Sequence, residues 1–244
     1  MFERTKIKIT ALIAAGVLAT ATAGGLAVAG CGGDNPPATT TDAAAASGAI
    51  PDSLRTVESG AEDTTDFVLA GERAQAVDAA NALNEAAQGQ AAKDLATAGI
   101  SAARIDELKA RSAEVARIAP GGKPIDVALA ANRAFELVPG FFAVYSDPVP
   151  AEVIELDYLD FEAKLQGIAG DSTEAASAIA QLDRTWSALR GEVVAAGGDS
   201  AAAQFDAHVA EMLRLTSAGT DQQIADEAQH GLDLVDEIEV VYAG

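Results

Sequence analysis

One cysteine in 244 residues leaves the chain without an internal disulfide. Positive charge is also scarce. With 16 Lys and Arg against 37 Asp and Glu, the formal charge is −21, so a nucleic acid would be repelled and a basic-patch role is excluded. Aromatics make up only 5% of the chain, too few for a sheet protein of this length. There is no Gly-x-Ser-x-Gly, no Gly-rich phosphate loop with Lys and no Cys-x-x-Cys-His, so the common signatures of acyl transfer, phosphoryl transfer and haem attachment are missing. Carboxylate pairs on solvated helices lack the desolvation that raises a pKa for acid catalysis, and the expectation is a protein that is not an enzyme and has no catalytic residues. What is plentiful is alanine, roughly a quarter of the residues, within a hydrophobic fraction of 49%. Alanine is the best helix former and a weak core filler, so long helices packed closely through small side chains are expected: an all-α chain.

At the start, Arg4, Lys6 and Lys8 precede an uncharged apolar run from Ile9 to Ala29, the order of a secretory signal peptide. A helix of that length could also span a bilayer. The run closes on Val28-Ala29-Gly30-Cys31, which resembles the lipobox of bacterial lipoproteins. The resemblance implies that residues 1–30 are a lipoprotein signal peptide. It also implies that Cys31 becomes the lipidated first residue of the mature protein, with its thiol in a diacylglycerol thioether. The protein is then expected at the cell membrane, lipid-anchored and facing the extracytoplasmic side, with the membrane as a partner through Cys31. Residues 31–60 are rich in Gly, Pro, Thr and Ala without apolar periodicity, and are expected as a disordered linker that supplies reach.

Residues 61–244 read as one all-helical extracytoplasmic domain. Ile179, Leu182, Trp186, Leu189 and Val193 recur at helical steps, as do Ile224, Ala228, Gly231, Val235, Ile238 and Tyr242, with Phe205, Val209, Met212 and Thr216 a weaker stripe between them. Gly170-Asp171, Gly197-Gly198-Asp199 and Gly219-Thr220 each place a helix stop beside a capping side chain, and Asp171/Glu174 and Thr220/Gln223 have capping-box spacing. Four helices follow, about 150–168, 172–196, 200–217 and 221–242. Earlier, helices of about 63–88 and 101–119 and one starting at Pro124 are expected, with Pro139-Gly140 kinking or ending the third. The sum is an antiparallel up-down bundle of about six to seven helices in which the C-terminal four are the clearest; two packed subdomains or one array are both open.

Three groups of residues carry candidate chemistry. Phe135, Phe141, Phe142, Tyr145, Tyr158 and Phe161 gather around Pro139-Gly140, where they can fill a core or line an apolar pocket. Acids crowd the helices of 150–168 and 221–242, and Asp233, Asp236 and Glu237 form a like-charge cluster expected on a solvated face. His208-x-x-Glu211 and Glu227-x-x-His230 lie on consecutive antiparallel helices at the same height, so His208, Glu211, Glu227 and His230 could share one iron, manganese or zinc ion. Glu227-x-x-His230 resembles the motif of ferritin-like di-iron bundles, which need it twice and have it here once. His208-x-x-Glu211 resembles the His-x-x-Glu of imelysin-type iron-uptake proteins, with Asp206 where that family has Gly. The functional expectation is a lipid-anchored cell-envelope binding or interaction module, non-enzymatic and without a cofactor, whose partner is an envelope protein or small ligand. The alternative is a lipoprotein that binds a divalent metal through those four residues.

Overall fold

The computed structural model describes residues 48–243, and every regular element among them is an α-helix. Cys31, the signal peptide and most of the expected linker lie outside the described residues. The helices are α1 (Asp52–Leu69), α2 (Arg73–Gln88), α3 (Gln90–Thr97), α4 (Ala102–Ile118), α5 (Pro124–Phe135), α6 (Val138–Phe142), α7 (Ala151–Ala169), α8 (Ser172–Ala195), α9 (Asp199–Ala218) and α10 (Asp221–Tyr242). No helix among the described residues is long and apolar enough to cross a membrane.

The all-α helical bundle expected from composition is present, arranged as two four-membered rings. α1 and α4 each pack on α2 and α5, closing one ring; α7 and α9 each pack on α8 and α10, closing the other. α5 and α6 reach across to α7, and Asn132 of α5, itself buried, donates to Glu162 Oε2 of α7 at 2.7 Å. One apolar cluster fills the first ring and continues into the second through Ile154, Phe161, Leu165 and Leu232.

In the C-terminal ring the helix limits fall within about one residue of those read from the sequence, because the stops are chemical. Gly170 takes the left-handed conformation at φ 76°, Asp171 Oδ1 accepts from Glu174 N at 3.1 Å, and Thr220 and Gln223 form a complete capping box. The N-terminal half departs from the reading. The helical body begins at Asp52 and not after residue 60, since Leu54 and Val57 turn inward and are buried. Residues 63–88 are not one helix; the chain turns at Ala70–Glu72, with Gly71 at φ 79°. Gln90–Thr97 forms an extra short helix, and Pro139 sits in the first turn of α6, where its missing N–H costs nothing, in place of kinking a longer helix.

Candidate functional site

The apolar filling of the C-terminal ring is interrupted. Trp186, Phe205, Val209 and Leu234 belong to one cluster and Ile179, Met212, Leu215 and Ala228 to another. Asp160 of α7 and His208 of α9 stand at the interruption, both buried. Because α7 and α9 lie across the ring's diagonal, their side chains must cross its axis to meet. His208 Nε2 is 3.0 Å from Asp160 Oδ1, and His208 Nδ1 is 2.9 Å from Glu227 Oε1 on α10. Gly231 makes the crossing feasible: a Cβ there would overlap Asp160 Oδ2 and His208 Nε2. Burial alone would lower the His208 pKa, but the Asp160 and Glu227 carboxyls outweigh it and hold the imidazole above its ordinary value. Burial likewise raises Asp160, against the downward pull of His208. A ring with a carboxylate on each nitrogen satisfies both only when it carries both protons.

Of the four residues expected around a metal, the structure brings together two, His208 and Glu227, and adds Asp160. Glu211 is held away by Arg214 in a two-pronged ion pair at 2.7 and 2.5 Å. His230 is exposed, its ring 6.3 Å from that of His208 and nearly perpendicular to it. Among the described residues no three His, Cys, Asp or Glu side chains are placed to share one metal ion. Asp206 binds the Trp186 indole N–H at 2.8 Å and accepts from the Arg190 guanidinium, Nε reaching both carboxylate oxygens and Nη2 reaching Oδ2, which ties α9 to α8.

The aromatic residues divide between core and cavity. Phe135 makes edge-to-face contacts with Tyr158 and Phe161, Phe141 is buried beneath the Arg104 guanidinium, and Tyr145 donates to the Asp94 carbonyl. Phe142 differs, for it lines a cavity of about 200 Å³ where α1, α7 and α10 meet.

That cavity combines apolar walls from Ile50, Phe142, Val149 and Ile154 with carboxyls from three helices. Glu58 and Glu62 come from α1, Asp157 from α7, and Asp236 and Glu239 from α10; Asp147 stands in the loop before α7. Among the described residues that line it, Arg55 is the one basic side chain, paired with Asp147 at 2.6 Å and lying over the Phe142 ring at 5.9 Å. Burial, then the neighbouring acids, push Asp157 and Glu58 well above the carboxylate range and Glu239 up to about 7. Asp157 is half-buried, and it lines the cavity. Asp233, Asp236 and Glu237 are exposed, as expected for a solvated face, while Glu239 is half-buried and turns with Asp236 toward α1. Unread in the sequence was their meeting with Glu58 and Glu62, one turn apart on α1, whose first part, Glu58 included, composition assigns to a linker ending at residue 60.

No family model, curated protein or solved structure matches the chain.

Proposed function

We propose that this is a lipid-anchored, extracytoplasmic binding protein of the bacterial envelope, held to the membrane through Cys31 and keeping a small ligand between its two helical rings. The observation that carries the binding half is the cavity at α1, α7 and α10, where carboxyls from three helices are crowded together in a setting that a cationic ligand would relieve. The non-enzymatic part is supported by His208, whose two ring nitrogens are both committed to carboxyls and which does not line the cavity. The anchor half rests on the Val28-Ala29-Gly30-Cys31 run.

Each half has its own test. Mass spectrometry of the wild-type N-terminal peptide should find acylated Cys31, and Cys31→Ser should accumulate as unlipidated precursor; a wild-type peptide without acyl mass removes the anchor. For binding, hydrogen exchange of the detergent-solubilised protein with a low-molecular-weight envelope filtrate should slow in α1, α7 and α10 together. Exchange unchanged in all three would remove the ligand-holding role.

A further inference from the structure

We propose that the cavity at the junction of α1, α7 and α10 is a seat for a short organic dication, an alkyl chain with an ammonium group at each end. This rests on the ligand-holding reading above and names the ligand's chemistry.

Three observations lead there. Asp157 makes no hydrogen bond or ion pair with the described residues, although it is half-buried and lines the cavity. A carboxyl in that position is costly unless something positive joins it. The charges that act most strongly on it are of its own sign, Glu62, Glu239, Asp236 and Glu58, and the one basic group in the wall, Arg55, is paired with Asp147. Second, the wall already seats one organic cation supplied by the chain itself. The Arg55 guanidinium rests on Asp147 and over Phe142, a carboxylate and an aromatic face used together. Third, the acids arrive from separate helices around the space and are not placed to converge on one metal ion, while Phe142, Val149 and the edges of Ile50 and Ile154 add a narrow apolar strip between them against which a short alkyl chain can lie. About 200 Å³ is below the ~300–1,000 Å³ of pockets for drug-sized molecules, which limits the ligand to a handful of heavy atoms. A four-carbon diamine spaces its charges by roughly one helical turn, ~5.4 Å, comparable with the spacing of acids on α1 and α10.

Calorimetric titration of the full-length protein in detergent micelles, with 1,4-diaminobutane, butylamine and calcium chloride as separate probes, decides the matter. The diamine should bind at one site per chain, and both other probes should bind at least about tenfold more weakly. Asp157→Asn, which keeps the shape and removes the charge, should weaken the diamine at least about tenfold, and Glu239→Gln should act in the same direction. Asp226→Asn, on the outer face of α10, should leave it unchanged. Equal or tighter binding of butylamine or calcium overturns the dication while leaving a binding protein. Heat from none of the three overturns the dication, and the ligand-holding role then stands or falls on the exchange experiment. Diamine affinity unaltered in Asp157→Asn and Glu239→Gln, with helical content intact by circular dichroism, moves the site elsewhere and overturns the proposal.

Discussion

At the residue scale, the most informative position is Gly231. In an exposed helix, replacing Gly by Ala gains about 1 kcal/mol from propensity alone. Here the added Cβ would overlap Asp160 and His208 in a layer with no room to give, and overpacking costs ~1–3 kcal/mol before any hydrogen bond is lost. Gly231→Ala should therefore lower the urea midpoint, and a raised midpoint would contradict the close approach. His208→Ala should cost more, about 3–5 kcal/mol, since it leaves Asp160 buried without its cation. Pairing of His208 with Glu227 was legible from their equal height across the α9–α10 joint. Asp160 was not, because it shares α7 with Glu152, Glu155, Asp157 and Glu162 and reads as one more solvated acid. Glu211 was lost to Arg214, three residues along the same helix, a local partner that height alone cannot weigh.

At the element scale, legibility followed the caps. α8, α9 and α10 begin or end at glycines and side-chain caps whose chemistry is local, so their limits could be read residue by residue. α1 begins after Pro51, α2 after Glu72 and α3 after Gly89, none with a side-chain cap, and tertiary packing sets their limits: the Gly60 backbone lies close against Leu83 of α2. Such contacts leave no mark at a fixed spacing in the sequence. Thr220→Ala, which removes one side of the capping box, should cost ~1 kcal/mol in chemical denaturation. Trp186→Ala should cost about 3–5 kcal/mol, because the indole is buried against Phe205 at 4.7 Å and its N–H holds Asp206. A tryptophan emission already red-shifted and freely quenched in the native protein would contradict that placement.

At the scale of the whole molecule, stability should depend on pH with a sign opposite to that of most acidic chains. Around the cavity the groups facing one another are Arg55, Glu58 and Glu62 of α1, Asp147 of the loop, Asp157 of α7, and Asp236 and Glu239 of α10. Glu58, Asp157 and Glu239 have folded pKa values above their unfolded ones, Glu239 at about 7 against the ordinary 4.5. Between those values the folded state holds protons that the unfolded chain has released, so stability falls as pH rises. His208 acts in the same direction: its pKa is raised above 6.5, and the stability it contributes is full below 6.5 and lost as pH climbs through the raised value. Glu211, Glu114 and Asp206 are lowered by their arginine partners, and protonating them removes stability only well into the acid range. The ligand-free protein should therefore melt highest near pH 5–6 and several degrees lower at pH 8, with ~2–4 °C for each kcal/mol in a chain of this size. Asp157→Asn should flatten that slope and raise the melting temperature at pH 8, while weakening the binding of a diamine. A gain in stability coupled to a loss of binding distinguishes a carboxyl kept for a ligand from one kept for the fold, since a structural acid would lose both. A melting temperature that rises from pH 5.5 to 8 would place the ionised form as the stable one and remove the cavity acids from this account.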